Sequence, residues 1–366
     1  MWDLWRRHKR KVYVTLGVLG SGYFLYKLYD AHKRRISDLE TEFARQRENE
    51  ELIKAQLQAH FDNIQKIADS ATLPHVMQQL SIRVADELDL APLTERLMKG
   101  KGQPNALTAA EKLDLWDRLK ILSFTRMVLS LWSMTILNLF IRVQVNILGR
   151  HLYIDTARGL GNSDLIEEAD LIDRDDEQQF LAIADFLSNY EVPALAAIVE
   201  AATSEVLKGK QLKDFFSSSV LHDTIVQILD TFMSTRNPHQ WLRYLIPDDP
   251  RMYKFLKTPE IDSEDHSRVS KFEQLTDETR AVLSSAEFGN ILDVSLRVLV
   301  DAVVEEIDIQ SGIPLAKLIP RIAQMGQNML EEPSRQRYIQ IVRNIPEVEL
   351  FFTLLYSSMP FNSVAD

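Results

Sequence analysis

The sequence predicts an all-α protein: a single large helical bundle with a long buried central helix, preceded by one N-terminal transmembrane helix. Three observations lead there. Apolar residues recur at steps of three and four along most of the chain, and no run of alternating β-branched residues reads as a sheet. Twelve Gly and thirteen Pro among 366 residues are too few for a sandwich, a disordered chain or a loop-rich fold. Near the start, an uncharged stretch lies between two basic clusters.

That stretch sets the domain organisation: a basic tail over 1–11, an anchor over 12–29, a charged linker over 30–50 and a helical body over 51–366. Fifteen uncharged residues, Val12–Tyr26, follow Arg6, Arg7, Lys9, Arg10 and Lys11. The run extends through Lys27 to Tyr29, because a lysine near a helix end snorkels to the headgroups. Eighteen residues rising about 1.5 Å each span roughly 27 Å, close to the ~30 Å hydrocarbon core. Val12, Leu16, Leu19, Phe24 and Tyr26 carry the anchor's apolar surface, with tyrosines near both ends. Gly17 and Ser21 form a small-xxx-small pair that lets another helix approach. A secretory signal would need small residues at a cleavage site, where "YFLYKLYDAHKRR" stands instead. A mitochondrial presequence would be amphipathic and rich in Arg and Ser, which this segment is not. Charge does not orient the anchor, because Lys27, Lys33, Arg34 and Arg35 nearly balance the upstream cluster.

The helices follow in order. Ile36, Leu39 and Phe43 begin a charged helix, and Ile53, Leu57, Phe61, Ile64 and Ala68 resume the pattern. Pro74 suits a first helical turn, with Leu73, Met77, Leu80, Val84 and Leu88 as the next stripe. A short helix over 92–98 ends at "KGKGQPN". "TAAE", Thr108–Glu111, matches a capping box and opens a helix without a breaker to about Leu148. Its middle, "MVLSLWSMTILNLFI" over 127–141, is uncharged and apolar on nearly every face. A second membrane span is the alternative, but fifteen residues between Arg126 and Arg142 are few, and Ser130, Ser133 and Asn138 interrupt them. A core helix surrounded by others fits better. After the acidic connection 155–179, helices are expected at 176–189, 193–208, 212–234, 271–308, 314–331 and 335–356. A proline-punctuated aromatic excursion occupies 236–270. No 33–45-residue self-similarity marks a repeat array.

Composition narrows the function. Without cysteine there is no disulfide, thiolate metal site or cysteine nucleophile. With no N-x-S/T acceptor either, the body suits a reducing compartment. The net charge is −11, yet residues 1–35 carry +7, which leaves −18 on the rest. So acidic a body is a poor nucleic-acid partner. No histidine pair has metal-ligand spacing, and neither GxxxxGK[ST] nor GxSxG occurs. "GLGNSD" follows no strand and lacks a third glycine. Carboxylate pairs such as Glu305–Glu306 and Asp175–Asp176 read as solvated helix faces. No enzyme, cofactor or metal is expected.

"EKLDLWDRLK", 111–120, is the informative stretch. At about 100° per residue, Lys112, Lys120 and Ser123 fall within roughly 40° of Trp116, while Leu115, Leu119, Leu122 and Leu129 gather to one side. Trp116 is either covered by another helix of the body or exposed for a partner. Lys112 and Lys120 favour the second reading, since they are costly to bury and would snorkel around the ring. An aromatic ringed by cations near an exposed helix start suits an amphipathic partner helix with apolar anchors and acidic residues.

"KLDLWDRLKILSFTR", "RVQVNILGRHLYID" and "GIPLAKLIP" closely resemble the peroxisomal biogenesis factor three (peroxin three) family, over essentially the whole chain. The resemblance implies a peroxisomal membrane protein with its N-terminus in the matrix and a helical body in the cytosol. It implies docking of peroxin nineteen, the receptor and chaperone for new peroxisomal membrane proteins, through a helix bound in a membrane-distal hydrophobic groove. Trp116 matches the family's groove tryptophan, Lys112 its neighbouring lysine, Leu97 a leucine before the loop and Lys317 a C-terminal lysine. Leu113 and Lys120 complete the expected set. A scaffold recruiting organelle inheritance or turnover factors is the alternative, and both roles can coexist.

Overall fold

The computed structural model describes residues 68–99, 107–161, 174–234, 240–247, 271–309 and 311–357, with residue 172 and scattered positions between 45 and 66. The chain divides into two units, Met1–Asp62 and Asn63–Asp366, and the second carries the bundle. The basic tail and the anchor lie outside the described residues.

A π-helical turn, Ala68–Thr72, leads into α1, Leu73–Glu87. Pro74 sits in its first turn, where a missing N–H costs nothing, and Leu73, Met77, Leu80 and Val84 face inward as the periodicity predicts. Helix α2, Ala91–Lys99, has no buried residue. Helix α3, Ala109–Gly161, runs for 53 residues, about 80 Å at the α-helical rise. The expected capping box opens it: Glu111 N–H donates to Thr108 Oγ1 (3.2 Å), and Thr108 N–H donates to Glu111 Oε2 (2.7 Å). Every residue from 122 to 151 is buried. The helix is long and apolar enough to cross a membrane, but its most apolar stretch is wholly covered by protein. It is the core of the bundle, not a second span.

The enclosing helices are α4 (Arg174–Ala182), α5 (Val192–Val206), α6 (Ser218–Ser234), α7 (Lys271–Leu283), α8 (Ala286–Ile307), α9 (Leu315–Asn328), α10 (Ser334–Arg343) and α11 (Pro346–Ser357). Each of them, like α1 and α2, packs on α3. The most extensive of these contacts is with α9. There a Cβ on Gly326 would lie 2.9 Å from the Met127 nitrogen, so only glycine admits this approach, and Ser130 Oγ donates to the Gly326 carbonyl at 2.9 Å. The charged residues after the apolar run also serve packing. Arg142 donates to Gln65 Oε1 (2.9 Å) and lies over the Phe352 ring, with burial lowering its pKa to about 10. Arg150 pairs with Glu278 of α7 and donates to the Leu355 carbonyl of α11 (3.0 Å).

Five expectations on element boundaries change, the first being that α3 runs past its expected end near Leu148 to Gly161, into the connection expected over 155–179. The helix expected over 176–189 stops at Ala182 and resumes through a π turn, Leu187–Glu191, ahead of Pro193, which has no backbone donor. The helix expected over 212–234 begins only at Ser218, because Ser217 Oγ accepts from Val220 N–H (3.3 Å). Residues ahead of it form β1, Phe215–Phe216, antiparallel to β2, Ile313–Pro314, so the fold includes one small ribbon where no sheet was expected. The segment 271–308 breaks at Ser285, whose Oγ accepts from Phe288 N–H (3.1 Å) to cap α8. The segment 335–356 breaks before Pro346. Of the excursion over 236–270, the described part is a 3-10 turn, Gln240–Tyr244, and the residues to Pro247.

Candidate functional site

The first three turns of α3 differ from the rest. Leu115 and Leu119 turn into the bundle, whereas Leu113 is 55% exposed and Lys112, Trp116 and Asp117 are half-buried. Hydrogen bonds from the Thr108 backbone and hydroxyl hold the Glu111 carboxyl below its ordinary range, which keeps a negative charge at the helix N-terminus.

Leu113, Asp117 and Lys120, spaced i, i+4 and i+7, share one face of α3. Opposite them runs the turn between α5 and β1. Together these three and residues 209–213 line a cavity of about 500 Å³. The turn is pinned on three sides. Lys120 Nζ donates to the Lys210 carbonyl (2.9 Å) and to Asp117 Oδ1 (3.0 Å). Asp214 Oδ2 accepts from Gln211 N–H (2.7 Å). Leu315 and Ala316 N–H donate to the Asp214 and Leu212 carbonyls, each at 2.9 Å. Gly209 adopts φ +85°, a conformation that strains any residue with a Cβ.

Leu113 and Lys120 line the cavity, and Trp116 and Lys112 stand beside it on the same turns of α3. The Trp116 ring has no ring partner or hydrogen bond among the described residues; Trp132, farther along, is fully buried and packs edge-on against Phe232 at 5.2 Å. Lys317, distant in sequence, is exposed in the first turn of α9, next to the residues that bond the turn. Leu97 is half-buried on α2, which packs on α3 but does not line the cavity.

Lys120 departs from expectation. It is 6% exposed and does not snorkel around the tryptophan. Its charge is tolerated because Asp117 pairs with it and a backbone carbonyl accepts a second hydrogen bond. It positions the turn.

The sequence reading did not single out the turn itself, "KGKQLK" at 208–213. Three lysines in six residues of a −18 body were the available signal. The strand that follows was missed as well, with Phe215 71% exposed. Among the described residues no three His, Asp or Glu side chains gather as a metal site.

The profile of the Peroxin-3 family matches residues 102–358, from just ahead of α3 to the end of α11. Peroxisome biogenesis protein 3-2 of Arabidopsis thaliana is 56% identical, over 97% of this chain and 98% of its own. Peroxisome biogenesis protein 3-1 of the same plant is 54% identical, over 98% of each. Peroxisomal biogenesis factor 3 of Mus musculus is 27% identical, over 98% of this chain and 96% of its own. These matches define a non-enzymatic factor of peroxisome biogenesis with a mainly helical body. The chain belongs to the Peroxin-3 family.

Proposed function

We propose that the chain is a docking protein of the peroxisomal membrane, anchored by residues 12–29 with its N-terminus in the matrix and its body in the cytosol. The body receives an amphipathic helix of peroxin nineteen at the start of α3 and so admits newly made membrane proteins to the bilayer. Apolar residues of that helix pack on Leu113 and Trp116, with Leu97 of α2 extending the apolar surface. Lys112 and Lys317 supply charge at the rim, and Lys120 holds the wall in place. One observation carries the reading: on a strongly acidic body, an exposed leucine and a half-buried tryptophan adjoin a lysine-lined cavity. Such a mixture of apolar floor and cationic rim suits a helix with an apolar stripe and acidic flanks.

The test is calorimetry of the full-length protein, in lipid nanodiscs, against a synthetic peptide of the N-terminal helix of peroxin nineteen. Saturable one-to-one binding is expected. Its absence would remove this reading of the site. The anchor is tested separately: the full-length protein should resist alkaline carbonate extraction, and protease added outside intact organelles should remove the body. Release at high pH would mean a helix lying on the membrane surface.

A further inference from the structure

We propose that the turn over residues 208–213 is a charge-reading wall that selects helices with carboxylates along one edge of their apolar stripe. The proposal rests on the docking reading above and adds to it the partner's chemistry and the residues that read it.

Charge complementarity points to this occupant. Lys208 and Lys213 are exposed, and among the described residues neither makes an ion pair or a hydrogen bond through its ammonium group. Half-buried Lys112 on α3 and exposed Lys317 on α9 likewise make no ion pair or side-chain hydrogen bond among the described residues. Elsewhere on the bundle Arg118, Arg337 and Arg297 pair with Glu200, Glu306 and Asp293, while Arg83 and Arg96 are single exposed cations that, unlike the lysines of the turn, do not adjoin this cavity. No carboxylate forms an ion pair with Lys208 or Lys213 among the described residues. Asp117 is engaged by Lys120, Asp214 accepts from Gln211 N–H, and Glu205 pairs with neither lysine. Lys213 lines the cavity and Lys208 stands on the same turn, and three lysines against Asp214 give residues 208–214 a net charge of +2, opposite in sign to the −18 of the body.

The wall is also preorganised. The Lys120 clasp, the Asp214–Gln211 bond and the two bonds from α9 fix the backbone of the turn before any partner arrives. A fixed backbone reduces the ordering cost of binding and presents its charges at defined positions. Apolar anchors supply affinity in the cavity, and the wall discriminates by charge.

The experiment compares two peptides on two proteins. One peptide is the synthetic N-terminal helix of peroxin nineteen; the other has its Asp and Glu replaced by Asn and Gln. The full-length chain and its K208Q/K213Q variant are titrated with each in nanodiscs, at about 0.05 M and 0.5 M salt. The variant should bind the acidic peptide about tenfold more weakly at low salt and less than threefold more weakly at high salt, because rim charges are screened. It should bind the neutral peptide as the parent does. Equal affinity of variant and parent for the acidic peptide at low salt would overturn the charge-reading role while leaving the docking reading intact. An equal loss with both peptides would also overturn it, since the turn would then act by shape. Failure of the parent to bind either peptide would instead remove the docking reading, and this inference with it.

Discussion

The start and the middle of α3 carry one tryptophan each, and the two are treated in opposite ways. Trp132 lies in a stretch where every residue is buried and its ring meets Phe232 edge-on. Trp116 lies three turns beyond the capping box's first residue at most, half-buried beside a lysine-lined cavity. The same helix therefore works as a core in its middle and as a surface at its start. What separates them is how completely the rest of the bundle covers each stretch. Every residue over 122–151 is buried, whereas over 109–119 only Leu115 and Leu119 are.

The largest expected effect lies in the enclosed region. Leu131→Asp or Leu137→Asp places an unpaired charge where neighbours are fully buried, at a cost of several kcal/mol. Neither variant should yield folded protein. Soluble expression with an unchanged melting temperature would show that the region is not a core, and the contrast between the start and the middle of α3 would collapse.

A smaller loss is expected at the closest helix contact. Gly326→Ala forces its Cβ against the Met127 backbone, which cannot yield as a flexible side chain would. Overpacking of this kind costs about 1–3 kcal/mol, visible as a lower denaturant midpoint. Peptide binding by the folded variant should be unchanged, because neither Gly326 nor Met127 lines the cavity. A loss of binding at full occupancy of the native state would tie the two regions together.

Smaller still is the effect of one rim charge. Lys112→Glu should weaken the peroxin nineteen helix mainly at low salt, since a charge at the rim is screened within about 10 Å at 0.1 M. Titrations at two ionic strengths check this, and a salt-independent loss would place Lys112 in a desolvated contact instead of at the rim.

Much of this contrast was legible in the sequence. The stripe Leu73, Met77, Leu80 and Val84, the capping box and the uncharged run over 127–141 each follow a local rule, and each keeps that rule in the fold. Helix interruptions at Ser285 and Pro346 were carried by single residues inside otherwise continuous periodicity, so the period masked them. The site was half legible. Lys112, Leu113 and Trp116 share a helix, so their spacing placed them together. Their joining to residues 208–213 and to Lys317 depends on tertiary hydrogen bonds from Lys120, Leu315 and Ala316. No local pattern encodes those bonds. Lys120 shows the limit most clearly: helical spacing put its Cβ near Trp116, but the ammonium group is drawn to a carbonyl ninety residues away in sequence.

The most direct measurement compares Trp116→Ala with Trp132→Ala by melting curves and by calorimetry with the peroxin nineteen helix. Trp132→Ala should cost about 3–5 kcal/mol of stability, because it empties a filled core site. Trp116→Ala should leave the melting temperature nearly unchanged and weaken binding by about 30- to 700-fold, the range of a 2–4 kcal/mol hot spot. If Trp116→Ala binds normally, or loses binding only by unfolding, Trp116 belongs to the core and the start of α3 is not the docking surface.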